Sequence, residues 1–202
     1  MTEVHLWLDP GCPWTWITAQ WLLEVGERRR FDVQWRTYSL GIKNDGRERP
    51  ERAVRCFGST RRSLLVLEAV REVAGNEGVG RLYGELGRRL HVEDAGDVDD
   101  LETSLVAAGL DPALAARAED EALEGVVLRS MADAFDLVGE DVGCPVIAFV
   151  TDTGLRACSG PVLSPAPTGQ AADRLFDAVE AAVTTDGFFE LKRSRDVGPL
   201  VS

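Results

Sequence analysis

The stretch Val4-His5-Leu6-Trp7-Leu8-Asp9-Pro10-Gly11-Cys12-Pro13-Trp14-Thr15-Trp16 decides the fold of this chain. An apolar run from Val4 to Leu8 stops at Asp9-Pro10-Gly11. An amphipathic run then opens, with Trp16, Ile17, Ala19, Trp21, Leu22 and Val25 recurring at helical spacing. The pattern predicts a strand, a tight turn and a helix. Cys12 then stands at the mouth of the helix. Pro13 occupies the first turn, where its missing N–H costs nothing. Unpaired N–H groups and the positive end of the helix dipole stabilise a thiolate at such a place. A Cys-x-x-Cys redox motif would carry its second cysteine at position 15. This chain has Thr15 there.

Downstream, residues 31–40 alternate Phe31, Val33 and Trp35 with Asp32, Gln34 and Arg36 and predict a second strand. Strand, helix and strand at this spacing form a right-handed βαβ unit. The polar residues from Gly41 to Pro50 read as a linker. From about Ser59 to Leu137 the pattern is helical. It predicts helices over 60–74 and 77–90, and a third carrying Leu101, Leu105 and Val106 after the acidic cap Asp97, Asp99 and Asp100. Asp111-Pro112 starts a short fourth, and the longest covers 119–138 and stops at Gly139. The β pattern returns over Val146–Thr151, turns at Asp152-Thr153-Gly154 and continues over Leu155–Ser159 as an antiparallel hairpin. A helix over 168–183 follows, and the segment from Asp186 reads as loop. The order βαβ, helical block, ββα predicts an α/β fold with helices layered on a mixed sheet. Its divisions are a first core half over 1–45, a helical insertion over 46–137 and a second core half over 138–202.

A length of 202 residues with 45% hydrophobic content suits one domain, or one domain carrying an insertion. The net charge of −12 argues against nucleic acid and anionic membranes as partners, since both favour a basic surface. Glu3 and His5 interrupt any leader pattern, and the apolar runs are too short to span a bilayer, so a cytoplasmic location is expected. Oligomeric state is open, a homodimer included. The four cysteines, Cys12, Cys56, Cys144 and Cys158, match no zinc spacing, and no metal site is expected. In a reducing compartment they are thiols rather than a disulfide framework. Each is then a small buried apolar residue or a reactive thiol, and only Cys12 has a local context that favours the second.

Thr15 lies one turn beyond Cys12, where its hydroxyl can donate to the sulfur or merely fill space. In either case an adduct on Cys12 has no resolving thiol at position 15. A second thiol must come from solution or from elsewhere in the chain. Cys144-Pro145 precedes a buried strand, and its peptide bond can be trans or cis. His91, after Arg88-Arg89-Leu90, reads first as an exposed cap on a helix C-terminus and second as a residue facing Cys12 across a cleft. Trp14 reads as exposed beside the sulfur, and Trp16 and Trp21 as core. Arg52, Arg55, Arg61 and Arg62 form a basic cluster, which is a solvated face or a subsite for the carboxylates of a small thiol.

Together these residues resemble the DsbA-like branch of the thioredoxin superfamily, and within it the actinobacterial members described as mycothiol-dependent reductases. Asp9-Pro10, Cys12-Pro13-Trp14 and Trp16 are similar to that family's Asp-Pro-x-Cys-Pro-Trp-Cys-Trp motif. Gly139 to Gly143 resemble its segment before a cis-proline. Gly160 to Ser164 and Phe188 to Arg193 resemble its last strand and tail, and Arg89-Leu90-His91 a feature of its helical domain. The resemblance implies a thioredoxin-like core, βαβ…ββα, with an inserted all-helical subdomain. It implies that Pro145 is the cis-proline against the active-site sulfur, presenting backbone to a bound thiol chain, with Cys144 next to Cys12. Two departures stand out. Thr15 replaces the family's second cysteine. Cys144 stands where Thr or Val is common, either as a relocated partner thiol or as an apolar substitute for Val.

The expected catalytic residues are therefore Cys12 and Thr15. The expected thiol- and substrate-binding residues are Pro13, Trp14, Trp16, His91, Gly143, Cys144 and Pro145. No tightly bound cofactor is expected; mycothiol or a similar low-molecular-weight thiol is the co-substrate that the resemblance implies, with a small disulfide or electrophile as substrate. Three activities fit: a monothiol oxidoreductase, a thiol-dependent isomerase or S-transferase in secondary metabolism, and a non-catalytic binding module with a degenerate site.

Overall fold

The computed structural model describes residues 3–48 and 50–201, and of Arg52 only the backbone. Strand β1 (Val4–Leu8) is buried along its whole length. Helix α1 (Pro13–Arg29) returns the chain to β2 (Val33–Thr37), which pairs in parallel with β1 from Val4–Val33 to Leu8–Thr37. Strand β3 (Val146–Thr151) lies antiparallel on the other side of β1, and β4 (Gly154–Ser159) antiparallel beside β3, giving the order β2-β1-β3-β4. A strand covered on both faces reads as a continuous apolar run, which is why Val4–Leu8 shows no alternation.

Both covering layers are fixed by indole N–H groups. On one face α1 packs against α6 (Gly169–Thr184), where Trp21 Nε1 donates to the Ala172 carbonyl at 3.1 Å and Trp21 and Phe176 lie 6.1 Å apart. On the other, Trp7 Nε1 donates to the Ser130 carbonyl of α5 (Glu121–Val138) at 2.7 Å. Each of these large side chains, once removed from water, contributes roughly 1.5–3 kcal/mol.

The helices between β2 and β3 depart from the expected pattern in three places. The predicted linker over 41–50 begins with a helical turn, α2 (Leu40–Lys43), capped by Ser39 Oγ, which accepts from Ile42 N–H at 3.2 Å. Leu40 and Ile42 pack on the core and draw that turn inward. Helix α3 (Glu51–Gly87), not the segment before Gly139, is the longest. It breaks at Gly75, where φ is 62° and ψ −162°, between the two helices that the sequence predicts. Asn76, just past the break, accepts from Trp35 N–H at 2.9 Å and donates to the Val33 carbonyl at 2.8 Å, while Arg71 donates to the Trp35 carbonyl at 2.8 Å. These bonds cover the free edge of β2. After a π-helical turn at Arg88–Val92 come α4 (Leu101–Ala107), capped by Asp100, and a 3-10 segment at Pro112–Glu119, where an ordinary short helix is expected. Among the described residues no helix is long and apolar enough to cross a membrane.

Candidate active site

Cys12 is the N-cap of α1 and is 3% exposed. Its N–H donates to the Asp9 carbonyl at 2.9 Å, and its carbonyl accepts from Trp16 N–H at 3.0 Å. That places the sulfur over the open end of the helix, where Thr15 N–H donates to Sγ at 3.5 Å. From the far end of the sequence, the loop before β3 brings in Cys144-Pro145. This peptide bond is cis, and the Cys144 carbonyl lies 3.6 Å from Cys12 Sγ. Cys12 and Cys144 are not joined by a disulfide.

The electrostatics assign the charge within this pair. As a thiol, Cys12 donates to the Cys144 carbonyl. A charge on Cys12 is favoured most by the neighbouring Cys144 thiol, then by the nearby Thr15 side chain and the Thr15 N–H. Together these outweigh burial and the negative charge of Asp9, and hold the Cys12 thiol below its ordinary value. Cys144 is pushed well up, by burial first and then by its bond to Cys12 and the charge there. Of the two, Cys12 therefore ionises first, and Cys144 keeps its proton.

Thr15 is fully buried, and its Oγ1 makes no aligned hydrogen bond. It nevertheless lies close enough to both sulfurs to favour a negative charge on either. Trp16 Nε1 and Tyr83 Oη are the other buried side-chain polar atoms without a partner among the described residues. Their rings meet edge-on at 6.0 Å, directly behind α1's first turn, and burial keeps the Tyr83 hydroxyl protonated.

Trp16 also faces Gly87 at the end of α3, where an added Cβ would lie 2.2 Å from the indole. That close approach lets the helical block sit on the active-site helix. His91 completes the contact. It is half-buried, its ring lies 6.0 Å from Trp16, and Nε2 meets the Pro10 carbonyl at 2.7 Å. A carbonyl only accepts, so Nε2 carries the proton, and burial lowers the ring's pKa. The expected exposed helix cap is thus replaced by a clamp on the turn that precedes Cys12.

The remaining predicted residues gather at the same place. Pro13 and Trp14 are half-buried, and the Arg195 guanidinium lies 5.0 Å over the Trp14 ring. Pro145 is buried, and its carbonyl accepts from Gly160 N–H at 2.8 Å. Gly143 sits against Leu40, and Tyr38 Oη donates to the neighbouring Val142 carbonyl at 2.9 Å. The basic cluster does not converge on Cys12: Arg62 pairs with Glu119 at 2.8 Å and Arg61 with Glu124, while the Arg52 side chain lies outside the described residues. The clefts beside Leu101 and beside Thr153 are also remote from the thiols.

Sequence reasoning assigned no role to two participants. Asp9 is fully buried, accepting from Gly11 N–H at 2.8 Å and from Leu40 N–H at 2.7 Å, and burial raises its pKa to about 6 against those bonds. An Asp before Pro-x-Cys reads as a turn former, and only the α2 contact reveals it as a buried carboxylate. Arg195 lies in a segment with no periodic signal at all.

A cysteine of lowered pKa at a helix N-terminus, facing a cis-proline and packed against a helical block, defines a thiol–disulfide oxidoreductase-like enzyme of the DsbA-like thioredoxin class. The chain belongs to the family described as Rv2466c-like, mycothiol-dependent nitroreductase Rv2466c, which matches residues 11–193. It is 26% identical over 199 residues to the uncharacterised protein Rv2286c of Mycobacterium tuberculosis, covering 96% of this chain and 83% of that one. Its fold is similar to the cytosolic disulfide reductase DsbM from Pseudomonas aeruginosa, with a TM-score of 0.60 and 15% identity over 89% of this chain and all (100%) of that one. The structure of DsbM with GSH gives a TM-score of 0.59 at 16% identity, covering 89% of this chain and 98% of that chain.

Proposed function

We propose that this protein is a monothiol reductase in which Cys12 is the nucleophile and mycothiol, or a similar low-molecular-weight thiol, the co-substrate. The observation that carries the proposal is the set of donors converging on Cys12 with Thr15 where a resolving cysteine would stand. The Cys12 thiolate attacks one sulfur of a small disulfide. A mixed disulfide forms on Cys12, and the other sulfur leaves as a thiolate and is protonated by solvent. A thiolate from solution then attacks the outer sulfur of that adduct. A new low-molecular-weight disulfide leaves, and Cys12 is again a thiolate. Trp14 and the backbone at Cys144-Pro145 line the approach to the sulfur and orient the thiol chain, and the helical insertion over 46–137 packs against the active-site helix. The family's description as mycothiol-dependent supports the choice of thiol. The cytoplasm, rich in such thiols, is the setting that suits the cycle.

The test is thiol-dependent reduction of a small disulfide by the purified chain. Cys12→Ser is expected to abolish turnover, whereas unchanged turnover in that variant would remove Cys12 from the mechanism and the proposal with it.

A further inference from the structure

We infer that Cys144 is a second redox thiol, which resolves an adduct on Cys12 by closing a Cys12–Cys144 disulfide, with the Thr15 hydroxyl serving both sulfurs in turn. This rests on the reductase reading above and adds a second exit from the adduct beside attack by external thiol.

Three buried or half-buried groups from two distant segments meet here. Cys12 is 3% exposed, and the Cys144 carbonyl is 3.6 Å from its sulfur, so the two cysteines are direct neighbours in the fold. Thr15 Oγ1 is fully buried beside both, without a committed partner. A buried hydroxyl left unpaired costs stability, so its place needs a reason. A hydroxyl rotor free to turn from one sulfur to the other supplies that reason.

The charges favour a handover. With Cys12 ionised, Cys144 keeps its proton because of burial, the bond to that thiolate and its charge, with Asp9 adding to these. Once Cys12 carries a neutral mixed disulfide, the bond and the Cys12 charge no longer oppose ionisation of Cys144. Thr15, which favours the thiolate form of Cys144, is then free to serve it. The titratable groups that face the pair are Asp9 after β1, Tyr38 after β2 and Tyr83 of α3; both tyrosines remain neutral.

In the step itself, Cys144 Sγ attacks Cys12 Sγ. The Sγ–Sγ bond forms, the bond to the outer sulfur breaks, and the outer group leaves as a thiolate that takes up the proton lost by Cys144. The two cysteines are oxidised by two electrons, and the substrate disulfide is reduced to two thiols. Two equivalents of the low-molecular-weight thiol reopen the pair, the first forming a mixed disulfide and the second releasing it.

The experiment uses the full chain with Cys56→Ser and Cys158→Ser, so that only the pair reacts, and one equivalent of 5,5′-dithiobis(2-nitrobenzoate). The expected result is release of two nitrothiobenzoate ions per chain, leaving a protein lighter by two hydrogens with a linked Cys12–Cys144 peptide by mass spectrometry. Adding Cys144→Ser should leave one ion released and a lasting adduct on Cys12. Thr15→Val should slow the second release by about tenfold, one decade of thiolate fraction, while Thr15→Ser keeps it. A lasting adduct on Cys12 while Cys144 is present would overturn the inference and leave the monothiol reading standing. No reaction at Cys12 would overturn both.

Discussion

His91 Nε2 lies 2.7 Å from the Pro10 carbonyl, so the helical block holds the turn that carries the nucleophile. That bond adds to the Asp9 carboxylate and the first backbone bonds of α1, which also hold the turn.

His91→Phe keeps an aromatic ring beside Trp16 but leaves the Pro10 carbonyl unpaired, a loss of about 1–3 kcal/mol. His91→Ala also forfeits the ring contact, worth roughly 0.5–1.5 kcal/mol. Urea unfolding should rank the Ala variant below the Phe variant and both below the parent. Thiol-dependent turnover should fall in both.

Alkylation of Cys12 by iodoacetamide, followed peptide by peptide across pH, should show a midpoint below the value of about 8.5 for a free thiol. Cys144→Ala should move that midpoint up the most, because the Cys144 thiol is the strongest of the groups favouring the charge. Thr15→Val should move it up less. Asp9→Asn should move it down, since it removes a negative charge next to the thiolate. An upward move in the Asp9 variant would contradict the electrostatic account.

Asp9 also gives a signature in stability. Its pKa rises from an ordinary 3.8 to about 6 on folding, so between those values the folded state binds the extra proton. Stability from this group is full below about pH 4, falls as pH rises towards 6 and is lost above it, a change of about 3 kcal/mol. Denaturation at a series of pH values should show this decline in the parent and a flatter profile in Asp9→Asn.

Gly87→Ala sets two effects against each other. Alanine gains up to about 1 kcal/mol in a helix over glycine. The added Cβ, however, would sit 2.2 Å from the Trp16 indole, and relieving such overpacking costs typically 1–3 kcal/mol. Net destabilisation is expected, together with a change in tryptophan emission as the helical block shifts off α1. A stabilised variant with unchanged emission would show that the contact is looser than described.

Where one periodicity dominates, the sequence was enough. Val4–Leu8 has no alternation because both faces are covered, and the run after Cys12 has helical spacing, so β1, α1 and the place of the sulfur were all legible. The apolar spacing separated helices over 60–74 and 77–90, and the break in α3 falls between them at Gly75, where glycine adopts a positive φ without strain. What stayed hidden depended on contacts between distant segments. His91 reads as a helix cap until Pro10 is seen against it. Asp9 reads as a turn residue until α2 closes over its carboxylate. The Arg195 contact with Trp14 has no local pattern behind it.

Cys12 and the Cys144 carbonyl are separated by 132 residues of chain, and the helical block accounts for most of that span. During synthesis Cys12 leaves the ribosome long before its partner does. The entropy of closing so long a loop delays the β1–β3 pairing until the intervening helices have packed. Until then Cys12 lacks the Cys144 thiol that contributes most to its acidity. An unfinished chain thus carries a less acidic cysteine, and full reactivity comes only with the completed fold.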